Sequence, residues 1–189
     1  MLSKEQRIEN LKKANEQSHA MIVKCLREAL YKLLEKKSID EIKVVDLVQA
    51  AGVSRGGFYR NFYRITDVLE DDIKAVAADV RAAVGKNISL DWQIILQTIY
   101  QHRKKIPLLL KAGMGMEILR YINLSVETVD DSHKLRIAAW NGVIFNSLLF
   151  WAEQGFREAP DQLAKRLAEI TQSLYTIEAA DSFDQGLPV

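Results

Sequence analysis

The segment IDEIKVVDLVQAAGVSRGGFYRNFYRITDVL, residues 39–69, carries the most informative pattern in the chain. Apolar residues recur there at three- and four-residue steps and predict a short amphipathic helix over 44–51. Gly52 then suits a turn that requires positive φ, and Ser54 is a good N-cap for a second short helix that reaches about Phe62. Two short helices joined by a tight turn form the helix-turn-helix arrangement.

The two predicted helices carry apolar faces that suit each other. Val53 before the cap and Phe58 four residues after it form a hydrophobic staple, and Phe62 extends the same apolar side. Packing of the first helix on this side leaves the opposite face of the second helix free to enter a DNA major groove. That free face is predicted to present Arg55, Gly57, Tyr59, Arg60 and Asn61.

These residue types match the chemistry of duplex DNA. An arginine can donate two hydrogen bonds to guanine, an asparagine can pair with adenine, and a tyrosine hydroxyl can reach phosphate. The helix N-terminus at Ser54 offers further N–H groups to phosphate. The adjacent glycines 56 and 57 each cost about 0.8–1 kcal/mol in a helix relative to alanine, which suits a backbone that approaches another molecule closely. The alternative is that these are ordinary solvated or half-buried surface residues.

The rest of the chain also carries helical patterns. A long first helix is predicted from Ser18 to about Lys36, preceded by a polar segment that forms a loose arm or an extra helical turn. Later helices are predicted over 133–154, where Gly155 suits a left-handed end, and from Pro160 onwards. The last helix repeats apolar residues at steps of four and three, which predicts a coiled-coil-like seam.

The predicted fold class is all-α, because strand alternation never persists. A three-helix head over residues 1–65 precedes a helical body over 66–189. The head contains 13 Lys and Arg against 8 Asp and Glu, a charge of +5, and the body contains 13 against 17, a charge of −4. A basic head is compatible with phosphate contact, although many solvated helical faces are equally basic.

Composition excludes several classes of protein. The 189 residues are 48% hydrophobic and 27% charged, as in ordinary globular proteins. No apolar run reaches the roughly 18–20 residues of a membrane span, and the N-terminus lacks the apolar core of a secretory signal. The single cysteine, Cys25, excludes an internal disulfide. A cytoplasmic protein without membrane association is therefore expected.

Catalysis is not predicted, since no nucleophile–base pair, paired carboxylates or phosphate-binding glycine loop stands out. No cofactor is expected, and the cluster Asp130–His133 is interpreted as a helix cap rather than a metal site. Large or adaptable side chains in the body could instead line a mostly apolar pocket for a small-molecule effector, with ordinary core or dimer packing as the alternative. These candidates are Trp92, Tyr100, His102, Met114, Met116, Tyr121, Trp140 and Asn141.

Residues 51–62, AGVSRGGFYRNF, closely resemble the signature of the TetR family of bacterial transcriptional regulators. The order of elements around them is also similar: a long first helix, a second helix over 42–48, and residues 66–69 opening a linking helix. The run from 138 to 156 resembles the dimerisation helices of one branch of that family.

The resemblance implies an Ω-shaped homodimer with two DNA-binding heads that bind a palindromic operator. The bodies would pair through their last two helices as a four-helix bundle, and most relatives are repressors that a small molecule releases from DNA. Tyr59 and Asn61 match phosphate-contacting positions, whereas Arg55, Gly57 and Arg60 match base-facing ones. The expected dimer interface comprises Phe145, Leu149, Leu163, Leu167, Ile170 and Leu174.

Three residues depart from the family pattern. Lys43 replaces the usual threonine cap but can still reach phosphate, Gly57 removes a side-chain contact, and Ile65 replaces a common lysine, for which Arg64 could substitute. These departures keep a second function open: a TetR-like co-activator or interaction protein that acts through a protein partner and binds DNA weakly by itself. A third, an all-α enzyme or carrier, requires converging polar residues in the body, and the sequence offers none.

Overall fold

The structure is a computed structural model that describes residues 4–84, 92–124, 126 and 131–180. Every regular element in those ranges is an α-helix or a short 3₁₀ turn, so the predicted all-α fold class is confirmed. No helix among the described residues is long and apolar enough to cross a bilayer. The helices are α1 (Lys4–Leu34), α2 (Val44–Ala51), α3 (Arg55–Tyr59), α4 (Glu70–Val84), α5 (Trp92–Gln101), α6 (Ile106–Lys111), α7 (Gly115–Asn123), α8 (Asp131–Glu153) and α9 (Pro160–Ala180).

The chain divides into two compact units. The first comprises Met1–Ala75 and Leu108–Ile118, and the second comprises Val76–Pro107 and Leu119–Val189. The first unit extends beyond residue 65 because the 3₁₀ turn Ile65–Leu69 packs against α1 and buries the side chains of Val68 and Leu69.

The core of the first unit forms where α1 packs against α2, α3 and the 3₁₀ turn. The buried side chains come from one face of α1, from the middle of α2 and from α3, as the predicted apolar stripes require. They include Leu26, Leu30, Leu34, Leu47, Val48 and Phe58.

Helix α1 is longer than predicted. It begins at Lys4 rather than at Ser18, which lies inside the helix and is exposed. The segment before Ser18 contains lysine, glutamate, glutamine, leucine and alanine but no glycine or proline. Because these residues favour the helix and nothing interrupts it, a helix nucleated by the packed part of α1 propagates toward the N-terminus.

Polar side chains tie α1 to the first turn of α4. Arg27 Nη2 lies 3.1 Å from Asp71 Oδ2, and Arg27 Nε lies 3.3 Å from Asp72 Oδ2. Tyr31 donates a hydrogen bond of 3.0 Å to the buried Asp72 carboxylate. Burial, together with the Asp72 charge and this hydrogen bond, raises the pKa of Tyr31 well above its ordinary value. The phenol therefore stays protonated and remains a donor.

In the second unit α5 packs along α9. Trp92 on α5 donates a hydrogen bond of 3.2 Å from its indole nitrogen to Thr171 on α9. The ring of Tyr100, also on α5, stacks on Trp151 of α8 at a centroid distance of 5.6 Å. Gly155 ends α8 in the left-handed region with φ 67°, as predicted.

Several predicted boundaries are confirmed or revised. Pro160 is the first residue of α9, as expected. The linking helix opens as the 3₁₀ turn Ile65–Leu69 before α4 begins at Glu70. Of the predicted polar loop over 123–133, residues 125 and 127–130 lie outside the described residues.

Candidate functional site

A tight turn joins α2 to α3. Gly52 ends α2 with φ 65° and ψ 28°, the left-handed conformation that glycine adopts without strain. The N–H of Val53 then donates to the carbonyl of Val48 over 3.0 Å. The positive φ predicted at Gly52 is confirmed.

Ser54 caps the start of α3. Its hydroxyl oxygen accepts a hydrogen bond of 3.0 Å from the N–H of Gly57, so the predicted N-cap is confirmed. One side of α3 is anchored by Phe58, which is fully buried and lies 5.9 Å from the ring of Phe62. The orientation of α3 is therefore fixed by a cap at one end and a buried ring in the middle.

The other side of α3 is exposed and basic. Arg55, Tyr59 and Arg60 are exposed, and Tyr59 contacts Phe58 edge-on at a ring centroid distance of 5.2 Å. Among the described residues no acidic side chain forms an ion pair with Arg55 or Arg60. Two unpaired guanidinium groups, one at the first residue of α3 and one at its C-cap, therefore flank an exposed tyrosine. This arrangement is able to bind an anion or an acceptor-rich surface.

Gly57 differs from the predicted free face because it is buried. A Cβ atom at this position would lie 3.0 Å from Val53 Cγ1 and 3.3 Å from Ser54 Oγ. The absence of a side chain here serves the close packing of the turn. Gly56, by contrast, is exposed, and a Cβ atom there would meet nothing within 4 Å.

Asn61 is half-buried and already engaged within the chain. Its side-chain amide donates a hydrogen bond of 2.6 Å to the carbonyl of Gly57, one turn earlier. This bond satisfies a carbonyl at the end of α3, where the helix offers no N–H partner. Asn61 therefore closes the end of α3, and one of its two amide hydrogens remains for any other contact.

Lys43 and Arg64 both precede a helical turn whose third residue is acidic. Asp46 accepts a hydrogen bond of 3.1 Å from the N–H of Lys43, which supports the start of α2 although lysine supplies no side-chain cap. The Lys43 side chain is exposed. Arg64 is different, because its Nε lies 3.1 Å from Asp67 Oδ1 and its positive charge is partly balanced.

Tyr63 is an exposed residue that the sequence analysis missed. Its relative accessibility is 94%, compared with 57% for Tyr59. Its position in the sequence could have identified it as a candidate. Tyr63 lies between Arg60 and Arg64 and directly follows Phe62, the last apolar residue of the predicted second helix.

The predicted effector-pocket residues fall in both units. Met114 and Met116 lie in the first unit, and the other six lie in the second. Several of those six are held by partners: Asn141 donates to Asn123 over 3.0 Å, and His102 Nε2 lies 2.8 Å from Asp79. Trp92 packs edge-on against Trp140 at 6.2 Å, Tyr100 stacks on Trp151, and Tyr121 lies beneath the guanidinium of Arg120. Trp92 and Asn141 are buried, which favours the alternative of core packing for these two residues.

A groove of about 590 Å³ lies between α8 and α9 in the second unit. Phe150 and Ile170 line it and remain 49% and 51% exposed. Its other lining residues are mainly apolar or small: Ala139, Gly142, Val143, Asn146, Ser147, Leu163, Arg166 and Leu167.

The residues predicted for the dimer interface occupy different environments. Leu163, Leu167 and Ile170 line the α8–α9 groove, and Leu163 is largely buried within the chain. Phe145 is largely buried within the chain, whereas Phe150, which was not among the predicted residues, lines the groove. Leu149 is half-buried, and the side chain of Leu174 lies outside the described residues.

In the described ranges no group of three or more histidine, cysteine, aspartate or glutamate side chains could hold a metal ion. No protein-family model matches the chain, and no curated protein matches its sequence.

Proposed function

We propose that this protein binds duplex DNA as a homodimer and regulates transcription, as a repressor of the TetR type. In this proposal α2 and α3 form a helix-turn-helix, and α3 enters the major groove. The observation that carries the proposal is the pair of unpaired arginines, Arg55 and Arg60, on the exposed side of a helix that Phe58 anchors. The resemblance of residues 51–62 to the TetR signature supports the same function.

The rigidity of α3 supports a role in sequence recognition. Direct recognition of bases requires side chains held in a defined position, and the Ser54 cap and the Gly52 turn hold the backbone of α3. An arginine that donates two hydrogen bonds to guanine contributes about 1–3 kcal/mol of discrimination. We assign base contacts to Arg55 and Arg60, and phosphate contacts to Tyr59 and the exposed Lys43.

The α8–α9 groove supports pairing with a second copy of the chain. Phe150 and Ile170 expose apolar surface there, and the small residues Ala139 and Gly142 allow two helices to approach closely. A two-fold dimer presents two copies of α3, and two-fold symmetry in the protein requires a palindromic operator. As in most TetR relatives, we expect a small molecule bound by the second unit to favour the state that binds DNA poorly.

The test is a fluorescence anisotropy titration of a labelled random-sequence duplex with three proteins. The wild type should bind with an affinity that falls steeply between about 50 and 200 mM salt. Arg55→Ala/Arg60→Ala should bind at least about tenfold more weakly, which corresponds to about 1.4 kcal/mol. The control Arg136→Ala/Arg157→Ala removes the same charge from exposed positions of the second unit and should change affinity by less than about twofold.

Two outcomes contradict the proposal. Equal losses in the two double variants would show that net charge alone drives binding. Absence of wild-type binding at low salt would refute autonomous DNA recognition and favour the regulator that acts through a protein partner.

A further inference from the structure

We propose that the Tyr63 hydroxyl donates a hydrogen bond to a DNA phosphate at the rim of the major groove. This contact would add affinity that is independent of base sequence. The inference rests on the proposed DNA-binding function and adds to it a residue that lies outside the α3 face.

The first observation is that the Tyr63 side chain is exposed while its backbone N–H is hydrogen-bonded. Its side chain is 94% accessible, and within the described residues neither its ring nor its hydroxyl has a partner. Tyrosine is usually at least half-buried because its ring is apolar. The backbone is nevertheless fixed, since the N–H of Tyr63 donates to Asp67 Oδ2 over 3.1 Å. A fixed backbone that presents a free phenol is suited to contact a partner.

The second observation is the distance to the proposed groove-reading residues. Tyr63 follows Arg60 by three residues, and because consecutive Cα atoms are 3.8 Å apart the two Cα atoms are at most about 11 Å apart. The major groove of B-DNA is about 12 Å wide and is bordered by phosphates on both sides. A residue this close to Arg60 therefore lies within reach of the bordering phosphates when Arg60 contacts a base.

The third observation concerns the neighbouring arginine. Asp67 accepts hydrogen bonds from both the backbone N–H and the Nε of Arg64, at 2.7 and 3.1 Å. This ion pair would have to weaken before Arg64 could bind a phosphate with its full charge. Tyr63 is a neutral donor and faces no such competition, so it is the better candidate at this end of the segment.

A neutral donor has a distinctive thermodynamic signature. A plot of log K against log salt has a negative slope, because binding releases counterions from the DNA. Each phosphate that a Lys or Arg neutralises makes this slope steeper by about 0.9. A phenol releases none. Loss of the Tyr63 hydroxyl should therefore lower affinity equally at every salt concentration.

The experiment compares wild type, Tyr63→Phe, Tyr63→Ala and the charge control Lys43→Met on a random-sequence duplex over about 50–200 mM salt. Tyr63→Phe should bind about threefold to tenfold more weakly, as expected for one lost hydrogen bond, with an unchanged salt slope. Lys43→Met should reduce the slope. Because the Tyr63 side chain is 94% exposed and forms no hydrogen bond or ring contact with the described residues, Tyr63→Phe should keep the wild-type melting temperature.

Wild-type affinity in Tyr63→Phe would overturn the inference, whether or not Tyr63→Ala binds more weakly, because the hydroxyl would then contribute nothing. A changed salt slope in Tyr63→Phe would also overturn it. If the wild type itself binds no duplex, the proposed DNA-binding function is refuted. That outcome is distinguishable from a wild type that binds duplex DNA without any contribution from the Tyr63 hydroxyl.

Discussion

At the scale of single residues, acidic side chains organise the turns of the first unit. Glu41 accepts a hydrogen bond from the N–H of Ser38 at 2.8 Å, and Asp46 accepts one from the N–H of Lys43 at 3.1 Å. Asp67 accepts one from the N–H of Arg64 at 2.7 Å, at the start of the 3₁₀ turn Ile65–Leu69. Each carboxylate binds the N–H three residues earlier, which stabilises the start of a helical turn. The Ser38 backbone and hydroxyl donors hold the pKa of Glu41 below its ordinary value.

Glu41→Gln should therefore change how stability depends on pH. A lowered pKa in the folded state means that the stabilisation is fully present above the unfolded pKa of about 4.5 and is lost as pH falls through the lower folded value. The urea midpoint of Glu41→Gln should lie below that of wild type at pH 7, and the two should converge in acid. The control Glu35→Gln, also exposed, should follow wild type throughout. A difference for Glu41→Gln that stays constant with pH would contradict this assignment.

Tyr31→Phe should destabilise the first unit by about 1.5–3 kcal/mol, because the buried Asp72 carboxylate loses a donor. The pKa of Tyr31 is raised, so this contribution is fully present below pH 10 and is lost as pH rises further. Urea denaturation at pH 7 measures the cost. Tyr63→Phe is the matched control, since its hydroxyl has no partner among the described residues, and equal stability losses would refute the role of Asp72.

At the scale of secondary structure elements, the sequence predicted caps and turns better than helix ends and faces. Gly52 and Ser54 were predicted correctly because their roles depend on local chemistry. Helix α3 spans only Arg55–Tyr59, fewer than two turns, so periodicity could not determine that Gly57 faces inward. Helix α8 is apolar around most of its circumference, and its sequence therefore does not distinguish Phe145, which is buried, from Phe150, which lines the groove.

The two glycines of α3 should respond differently to the same substitution. Gly56→Ala adds a methyl group in open space and should stabilise the helix by up to about 1 kcal/mol. Gly57→Ala should be less stable than Gly56→Ala by at least about 1 kcal/mol, because its Cβ would press on the β-branched Val53 and on the Ser54 cap. Urea denaturation measures both variants. Equal stabilisation would show that the turn has room at Gly57.

At the scale of the whole molecule, the sequence could not predict which distant segments form one unit. Residues 108–118 belong with the first 75 residues, so that Met114 and Met116 are part of the first unit. Only contacts between residues far apart in the chain determine this grouping, and a single sequence contains little information about them. Trp92 of α5 and Trp151 of α8 are buried, and the hydrogen-bond partner of Trp92, Thr171, lies about 80 residues away in the sequence.

The proposed dimer predicts a specific effect of charge in the α8–α9 groove. Sedimentation equilibrium should show a dimer for the wild type and a monomer for Phe150→Glu/Ile170→Glu, because burying two carboxylates per chain is costly. Leu135→Glu is the control, as Leu135 is 81% exposed on α8 and does not line the groove. A monomeric wild type, or a double variant that remains dimeric, would contradict pairing through this groove.

Selection of binding sites from randomised duplex DNA tests the central claim most directly, because it requires no assumption about the operator. The wild type should enrich a two-fold palindrome, and Tyr59→Ala/Arg60→Ala, which alters the exposed side of α3, should enrich none under the same conditions. Absence of enrichment by the wild type at moderate salt, or an identical enriched sequence for the double variant, would contradict recognition of DNA by α3.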